Sequence, residues 1–574
     1  MMKQLQQIFP ALNWLRNYKS QHLLGDITAG VIVTSLLIPQ SMAYALLAGL
    51  PPQVGLYATI LPAIVYPLLG TSQVLAVGPV AVDSLMVAAA IAKFAPQGSP
   101  EYLALAIALA FLVGMIEIGM GVLRMGFLVN FLSRSVISGF ISGSALIIGF
   151  SQLKHLLGLK IPNTESFVEL VRLIFGKIGE INWLTFGLGF TSILILLYFN
   201  KPLIKVLRRK GWSEQQILPI SKSAPLLVVI VGTVLVAVFQ WHQVAGVRIV
   251  GTVPSGLPPF SLPTFELSTV QSLLPAALAI ALVGYVEGFS GAQALASKRR
   301  EKIDPNQELI AFGAANLSAA LSGGYSVTGG VSRSVVNFAA GANTGLASMI
   351  TGLLVAITTV FLTSWFYYLP QTCLAATIVT AVYKLVDFAT LKRMWQYDKA
   401  DAIAWLFTFS VVLGFGVEKG IIFGAIVALA LHLWHTSRPH IAIVGRLGSS
   451  EHFRNVQRYD VKTSPQVLAI RVDASLYFAN AKYMENFLNR EVSDRPEVDK
   501  IVLVCSAVNL IDASALEVLE SMIADLKSIG VDFYFAEVKG PVMDKLLKIG
   551  FVDHVGRDRF FLSTDIAMRE LAGI

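Results

Sequence analysis

The chain has 574 residues, of which 55% are hydrophobic and only 14% are charged, and its mean hydropathy is +0.66. Soluble domains carry about 25% charged residues, so this composition excludes a protein that is soluble along its whole length. The net charge of +8 is concentrated in short stretches between apolar blocks, a pattern typical of membrane proteins, and no nucleic-acid partner is expected.

Residues 1–24 are mixed and charged, unlike a secretory signal, and are predicted to be a cytoplasmic segment. Apolar blocks then fill residues 25–436, and a membrane-spanning helix needs roughly 20 such residues. This region is predicted to be an α-helical polytopic membrane domain of fourteen segments. The predicted segments are 25–47, 53–69, 75–92, 101–122, 128–150, 183–199, 224–241, 271–292, 306–321, 331–344, 345–364, 371–389, 401–416 and 418–436.

The charges between these segments predict the orientation of the chain. Basic residues concentrate in stretches 200–223, 298–302 and 390–400, which all fall on the side of the N-terminus, whereas the opposite loop 242–270 holds only Arg248. Basic loops stay in the cytoplasm, and the number of segments is even, so both termini are predicted to be cytoplasmic. The outer loop 151–182 also carries basic residues and weakens this pattern without reversing it. The expected location is the cell membrane.

After a predicted linker at 437–457, residues 458–574 have the composition of a soluble domain. Strand patterns at 467–480, 500–508 and 531–538 alternate with helical patterns at 514–528 and 541–550, which indicates a compact α/β domain. The two cysteines, Cys373 and Cys505, lie in unlike contexts and predict neither a disulfide nor a metal site. With no catalytic triad or cofactor motif in the sequence, we expect neither an enzyme nor a cofactor.

Two stretches indicate an internal repeat. The sequence VGPVAVDSLMVAAA at 77–90 resembles TGGVSRSVVNFAAG at 328–341, with an offset of 329 − 78 = 251 residues. Short segments interrupted by glycine or proline at matching places in two halves are typical of a transporter's binding site, and seven segments per half would make the repeats inverted. The alternative is chance similarity between apolar stretches. The matched positions are Gly78, Pro79 and Val80 with Gly329, Gly330 and Val331.

The most informative residue is Arg333, the only charge between Glu308 and Lys384. A guanidinium at membrane depth is costly and usually marks a functional site. Helix amino termini offer unpaired amides and a positive dipole end, and the neighbouring Ser332 and Ser334 carry hydroxyl donors, so this segment favours an anion-binding site. The alternative is an interhelical salt bridge with Asp83 or Glu287.

Three strings carry a resemblance to a known family. They are IPQSMAYALLAGLPPQVGLY at 38–57, GTSQVLAVGPVAV at 70–82 and LRMGFLVNFLSRSVISGF at 123–140. They resemble the sulfate permease (SulP) family of anion transporters, and the C-terminal region resembles a STAS domain. The resemblance implies two inverted repeats of seven segments, arranged as a core and a gate domain, with the substrate between half-helices three and ten. It also implies a homodimer.

The same resemblance implies which residues bind the substrate. Ser332 and Arg333 match the serine–arginine pair at the start of the tenth segment, and the first segment lines the site, where Gln40 and Tyr44 share one helix face. The alternative for Gln40 is a hydrogen bond between helices. The expected substrate-binding set is Gln40, Tyr44, Gly78, Pro79, Val80, Gly329, Gly330, Val331, Ser332 and Arg333.

Three membrane acids bear on coupling. Glu287 matches an acidic position that relatives of this fold use for coupling, and burial disfavours the charged form of a carboxyl, so Glu287 is expected to carry a proton. Its alternative is a structural partner of Arg333. Asp83 and Glu117 depart from the family pattern; Asp83 is assigned to coupling with a proton or with sodium, whereas helix packing is favoured for Glu117.

The STAS-like stretch has Asp512–Ala513–Ser514–Ala515 in place of the family's Asp, two hydroxyl residues and Gly, so a helix cap is favoured over a phosphorylation switch. The expected function is secondary active transport of an inorganic anion, most simply sulfate, by alternating access with proton coupling. The alternatives are bicarbonate, with sodium as the coupling ion, or a dicarboxylate. A membrane-anchored signalling or scaffold protein, whose STAS domain binds a cytosolic protein, is an alternative of another class.

Overall fold

The structure, a computed structural model, describes residues 9–130, 133–161, 167–258, 260 and 266–574. Parts of the predicted N-terminal segment, of segment 128–150 and of both outer loops lie outside these ranges. The chain divides into two compact units, of which the first ends at Ala428 and the second comprises Leu429–Ile574.

The first unit is built from helices, with one two-residue strand in each half. The helices are α1 (Ala11–Arg16), α2 (Ser20–Leu47), α3 (Pro52–Leu69), α4 (Ala81–Ile91), α5 (Pro100–Val122), α6 (Arg134–Leu156), α7 (Phe167–Gly176), α8 (Trp183–Asn200), α9 (Pro202–Arg209), α10 (Glu214–Lys222), α11 (Ala224–Phe239), α12 (Trp241–Val244), α13 (Leu267–Arg299), α14 (Pro305–Leu321), α15 (Val331–Ala339), α16 (Leu346–Phe361), α17 (Gln371–Val382), α18 (Phe388–Tyr397), α19 (Lys399–Phe415) and α20 (Val417–Thr436). The strands are β1 (Val77–Gly78) and β2 (Thr328–Gly329).

A helix lies within each of the fourteen predicted stretches. Among the described helices, eight are long and apolar enough to cross a membrane by themselves, or nine if the pair at Gln216–Lys222 and Ala224–Phe239, bent by 44°, is one span. Helices α4 and α16 are apolar but shorter. The α-helical polytopic fold is therefore confirmed, whereas the number of fourteen spans stays a prediction.

Sequence signals explain several helix starts. The Ser99 hydroxyl accepts a hydrogen bond from the Tyr102 amide at the start of α5, and Asp304 accepts from two first-turn amides of α14. Each cap is followed by a proline at the first helical position, where its missing N–H costs nothing. The exact residues differ elsewhere: the predicted segment 128–150 begins its α-helix only at Arg134.

The predicted loops are not structureless. The stretch 200–223 contains α9 and α10, stretch 390–400 largely coincides with α18, and the outer loop 151–182 contains α7. In α9 the apolar residues Leu203, Ile204 and Val206 are interleaved with Lys205 and two arginines. Such basic amphipathic helices are typical of a membrane surface, and a search for long apolar runs does not detect them.

The helices of the first unit form two bundles. Helices α2, α3, α4, α5, α13, α14, α15 and α16 pack on one another, and helices α6, α8, α11, α17 and α19 pack on one another. Glycines allow close approach inside the first bundle: a Cβ at Gly114 of α5 would lie 2.7 Å from the carbonyl oxygen of Gly313 in α14. The two bundles correspond to the core and gate groups that the resemblance implies.

The second unit contains a sheet of six strands in the order β4-β3-β5-β6-β7-β8, in which β5 to β8 are parallel and β3 is antiparallel to both neighbours. The strands are β3 (Ile441–Arg446), β4 (Phe453–Asn455), β5 (Val467–Val472), β6 (Lys500–Val504), β7 (Asp532–Ala536) and β8 (Phe560–Phe561). The helices are α21 (Ala481–Ser493), α22 (Ala513–Ser528), α23 (Gly540–Lys548), α24 (Phe551–Val555) and α25 (Thr564–Ala572). Apolar clusters cover both faces, as parallel strands require.

The sheet of the second unit begins before the predicted domain boundary at 458. The predicted linker 437–457 contains β3 and β4, so the folded unit includes most of that stretch. Only alternate residues of β4 are buried, and the strand has three residues, which is too short for a periodicity to stand out. The pairing with β5, which fixes β3 in the sheet, is a long-range contact without a local signal.

Candidate functional site

The site begins at a short strand pair inside the first unit. β1 and β2 run antiparallel, with Val77 opposite Gly329 and Gly78 opposite Thr328. Adding the repeat offset of 251 to Val77 and Gly78 gives Thr328 and Gly329, so the offset maps β1 onto β2. The two cross-strand pairs are equivalent under this mapping, because each joins the first residue of one strand to the second residue of the other. The strand pair therefore has a local twofold relation, and α4 and α15 leave it in opposite directions.

The amino termini of α4 and α15 flank this strand pair. Their N-cap positions, Val80 and Gly330, provide no side-chain cap. The first-turn amides at 81–83 and 331–333 donate to no acceptor among the described residues. Unpaired amides at a helix start bind anions, and here two sets of them lie on either side of one strand pair.

Arg333 joins the two half-helices. Its guanidinium is buried, with 2% of the residue exposed, and donates from Nη2 to the Gly78 carbonyl at 3.0 Å and from Nη1 to the Pro79 carbonyl. Its Nε has no hydrogen-bond partner among the described residues. The structure does not show the alternative ion pair of Arg333 with Asp83 or Glu287. The guanidinium is thus held by backbone oxygens and forms no ion pair with a described carboxylate, although Glu287 lies within electrostatic range of it.

Further side chains of α15 bind the backbone before α4. The Ser334 hydroxyl accepts from the Ala76 amide at 2.9 Å and donates to the Gly330 carbonyl at 2.8 Å. Asn337 donates to the Val74 carbonyl at 2.9 Å. Sequence analysis assigned the Ser334 hydroxyl to the anion, but its hydrogen bonds are already used within the protein.

Glycines allow the close approach of these elements. A Cβ at Gly329 would lie 2.9 Å from the Cα of Gly288 in α13, and a Cβ at Gly330 would lie 2.7 Å from Nη2 of Arg333. A Cβ at Gly291 would meet Val331 at 3.0 Å. Gly329 and Gly330 therefore act as spacers, the first against α13 and the second against the guanidinium.

Predicted site residues of the half-helices differ in exposure. Gly78, Pro79 and Val80 are buried, as are Gly329 and Gly330, whereas Val331 and Ser332 are exposed. The Ser332 hydroxyl makes no hydrogen bond among the described residues, so it remains available to a bound anion. Val331 packs against α13, and its backbone amide is one of the unpaired amides in the first turn of α15.

Helix α2 contributes the other two predicted residues. Gln40 and Tyr44 are one turn apart and both are 7% exposed. Tyr44 lies within electrostatic range of Arg333 and Glu287. Within the described part of the chain, neither side chain makes a hydrogen bond, so the amide bond between helices that was the alternative for Gln40 is not present here.

Asp83 and Glu287 lie close together in the first unit. Asp83 is 1% exposed and neither of its carboxylate oxygens has a partner among the described residues, and the same holds for Oε2 of Glu287. Oδ2 of Asp83 lies 3.3 Å from the position of a Cβ on Gly284, which is one turn before Glu287 in α13. Unpartnered buried carboxyls are costly when charged, so this pair favours uptake of a cation or a proton.

Glu117 is different, because it has a partner. Its Oε2 accepts from Nδ2 of Asn316 at 2.8 Å, and Asn316 is itself fixed by the backbone of Val327. This geometry agrees with the helix-packing role favoured from the sequence. Asn316 had been missed there, because an asparagine in a helix has many uses and no spacing pattern.

Tyr325 is a second residue that sequence analysis missed. It is fully buried, its hydroxyl lies 2.9 Å from the Ser84 hydroxyl, and it is within electrostatic range of Asp83 and Arg333. Its position just before β2, in the motif GGYS, was the available signal. Tyr325 therefore places a hydroxyl beside α4, near Asp83 and Arg333.

The STAS-like loop forms a helix cap. Asp512 accepts from the Ala515 amide at 2.8 Å and from the Phe478 amide at 2.9 Å, whereas Ser514 is exposed and takes no part in the cap. The cap expected from the sequence is therefore present through Asp512 alone.

Comparisons with known proteins agree with the two-unit organisation. The profile of the sulfate permease family matches residues 23–408, and the profile of the STAS domain matches residues 458–567. The chain is 36% identical to the Arabidopsis thaliana protein named "Sulfate transporter 4.1, chloroplastic", over 98% of this chain and 82% of the relative. It is 32% identical to "High affinity sulfate transporter 2" of Stylosanthes hamata, over 97% of this chain and 85% of the relative.

Solved structures share the fold. The murine Solute Carrier 26 family member A9 anion transporter, in the inward-facing state, superposes with a TM-score of 0.89 at 24% identity, covering 99% of this chain and 94% of the other. The transmembrane domain of the cyanobacterial bicarbonate transporter BicA gives a TM-score of 0.60 at 21% identity, covering 72% of this chain and 98% of that one.

Proposed function

The chain belongs to the sulfate permease family, and from that premise we propose that it transports inorganic anions across a membrane by secondary active transport, with sulfate as the principal substrate. The names of its plant relatives support sulfate rather than bicarbonate or a dicarboxylate. A helix-end site selects by charge and size, so related oxyanions compete in this proposal.

One observation carries the proposal: two half-helix amino termini, with unpaired first-turn amides, flank a strand pair beside a buried arginine that forms no ion pair with a described carboxylate. A dianion between them accepts hydrogen bonds from both sets of amides and gains attraction from the guanidinium. The exposed Ser332, in the first turn of α15, adds a hydroxyl donor. Gln40 and Tyr44 line the site from α2.

Coupling is assigned to the acidic pair. Sulfate brings two negative charges towards one guanidinium, and Glu287 and Asp83 would add two more if both were ionised. A proton on this pair removes part of that repulsion and loads together with the anion. Sodium is the rival coupling ion, which the same two carboxyls would attract.

Transport in this proposal proceeds by alternating access, with the bundle that contains α4 and α15 moving against the bundle of α6, α8, α11, α17 and α19. The basic inner stretches support cytoplasmic termini, and we place the protein in the cell membrane as a homodimer. The STAS domain faces the cytosol and is available to a protein partner.

The direct test is uptake of labelled sulfate into proteoliposomes that contain the purified chain. Uptake is expected, faster with an inward-directed proton gradient and inhibited by an excess of unlabelled sulfate. A panel with bicarbonate, chloride and a dicarboxylate, each with and without sodium, ranks the alternatives. If none of these anions were taken up, the transport proposal would be contradicted and the scaffold function would be favoured.

Arg333→Ala is expected to lower sulfate uptake by roughly tenfold or more, because it removes the positive charge that attracts the bound anion. The exposed Arg393→Ala on α18 is the matched control and is expected to keep full uptake. Because Arg333 also holds two backbone carbonyls, the variant is first checked by size-exclusion chromatography. Normal uptake by a folded Arg333→Ala protein would remove the site.

A further inference from the structure

A basic pocket lies on the second unit. His440, Arg454, Asn455, Arg458, Tyr459, Arg471 and Asp473 line a groove of about 360 Å³. His440 aside, three arginines and one aspartate give the pocket a charge of 3 − 1 = +2. Its lining comes from the start of β3, from β4 and the turn after it, and from the end of β5.

The single acid of the pocket is already engaged. Asp473 accepts from Arg471 Nε at 2.6 Å and from Nη2 at 3.1 Å, and its Oδ2 lies 2.8 Å from His440 Nδ1. Burial acts against ionisation, but the hydrogen bonds from Arg471 and His440 outweigh it and lower the pKa of Asp473 below its usual value. The carboxylate therefore stays charged and fixes Arg471 and His440 at the wall of the groove.

The other donors of the pocket remain available. Among the described residues, the side chains of Arg458 and Tyr459 have no hydrogen-bond partner, and Arg454 donates only to the neighbouring Phe453 carbonyl at 3.3 Å. Asn455 is 8% exposed and its Oδ1 accepts from the Gln457 amide, so its amide nitrogen is a nearly buried donor without a described acceptor. A surface that offers donors and a net positive charge fits an anion, and guanidinium groups match the oxygens of phosphate or sulfate.

The position of the pocket in the chain points to the membrane surface. His440 comes four residues after the end of α20, a distance of at most about 14 Å for extended chain. The Thr436 hydroxyl at that end lies 2.6 Å from the Tyr477 hydroxyl, in the loop that follows Asp473. Arg438 stacks on the Trp434 ring at 4.1 Å, and tryptophan and arginine at the end of a spanning helix are typical of the lipid headgroup layer.

We propose that this pocket is a second anion site, which binds a tetrahedral oxyanion group: the phosphate of an anionic lipid headgroup, or free phosphate or sulfate in the cytosol. The site is distinct from the helix-end site and does not depend on transport. It gives the STAS domain a ligand of its own, set by the membrane or by the cytosolic anion concentration.

The test is hydrogen–deuterium exchange on the full-length protein in lipid nanodiscs, read at peptides covering 450–475. In one arm, inorganic phosphate is added to phosphatidylcholine nanodiscs. In the other arm, phosphatidylcholine is compared with a mixture that contains phosphatidylglycerol, without added phosphate. A bound oxyanion is expected to slow exchange in these peptides by roughly tenfold, and the responding arm identifies the source.

The paired variant Arg454→Gln/Arg458→Gln is expected to lose this protection, whereas Arg490→Gln on α21, exposed and outside the pocket, is expected to keep it. Both substitutions in the pocket lie at exposed positions, and sulfate uptake by the paired variant reports separately on the helix-end site. Protection in neither arm, or protection that persists in the paired variant, would overturn the proposal.

Discussion

Three buried carboxyls of the membrane unit show how the surroundings, rather than the residue type, decide a role. Asp26 accepts from the amides of Asn343 and Thr344, and Glu308 accepts from the amides of Thr71 and Ser72. Each also accepts a threonine hydroxyl. Such saturated carboxylates stabilise the fold. Asp83, by contrast, has no described partner for either oxygen, which supports the coupling role proposed for it.

Glu287→Gln is expected to make sulfate uptake independent of the proton gradient, because the amide keeps the volume of the side chain but cannot take up a proton. The measurement is uptake into proteoliposomes over a series of imposed pH gradients. Glu117→Gln is the matched control: its side chain still accepts from Asn316, and its pH dependence is expected to equal that of the unmodified protein. An unchanged gradient response in Glu287→Gln would reject this glutamate as the proton carrier.

Gly330→Ala tests the position of the guanidinium without removing it. The backbone of Gly330 is extended, with φ −80° and ψ 105°, so alanine is tolerated there. Its Cβ, however, would lie 2.7 Å from Nη2 of Arg333 and displace the charge. We expect sulfate affinity to fall several-fold. Gly149→Ala in α6, where a Cβ meets nothing within 4 Å, is the control and should bind normally. Equal affinities of the two variants would contradict this.

Sequence analysis located the arginine but not its partners. Arg333 is found from sequence because a single charge in a long apolar stretch is rare. Its acceptors are the carbonyls of Gly78 and Pro79, and a carbonyl belongs to every residue, so no pattern marks it. The side-chain candidates Asp83 and Glu287 were therefore weighed first, and the ion pair between either of them and Arg333 is not seen.

At the level of elements, the internal repeat was predicted from the sequence, but the strand pair that joins its two halves was not. The offset of 251 residues matched stretches 77–90 and 328–341. The short helix α4 overlaps the first stretch, and the short helix α15 lies in the second. The strand pair between them was not predicted, because two residues per strand give no alternation to detect. Helices of 11 and 9 residues reach about 16 and 14 Å, roughly half of a bilayer core.

Ser334 and Ser332 separate the structural and binding roles of α15. Ser334→Ala leaves the buried Ala76 amide without its acceptor, which costs about 1–3 kcal/mol, so the melting temperature is expected to fall. Ser332→Ala removes a free, exposed hydroxyl, so stability is expected to hold while sulfate affinity falls. Thermal melts and sulfate titrations of both variants form the measurement. A loss of stability in Ser332→Ala, or none in Ser334→Ala, would reverse the assignment.

For the whole molecule, family and domain order follow from the sequence, since they depend on many residues together. The sulfate permease and STAS assignments are confirmed, and so is the polytopic helical fold. The predicted orientation depends only on the distribution of charge: Lys and Arg are frequent in stretch 200–223 and scarce in stretch 242–258. It stays a prediction, and it needs a probe that distinguishes the two sides of the membrane.

The unmodified chain provides an unreactive background for such a probe. Its two cysteines are free and buried, Cys373 at 0% and Cys505 at 1% exposure. Burial, with a smaller contribution from Glu537, raises the pKa of the Cys505 thiol to about 12, so its reactive thiolate is scarce at neutral pH. A maleimide is therefore expected to label neither cysteine in the folded protein and both after denaturation, as counted by intact mass.

On this silent background, single cysteines at exposed positions report sidedness. Lys210→Cys lies in the basic stretch and Ser255→Cys in the opposite loop. With a membrane-impermeant maleimide applied to intact cells, Ser255→Cys is expected to react at once and Lys210→Cys only after the membrane is opened, because the basic stretch is held in the cytoplasm. For the second unit, Ser449→Cys at an exposed position takes the place of Lys210→Cys. If Lys210→Cys and Ser255→Cys were labelled from the same side of the membrane, the number of spans between them would be even. This result would refute the predicted arrangement of segments.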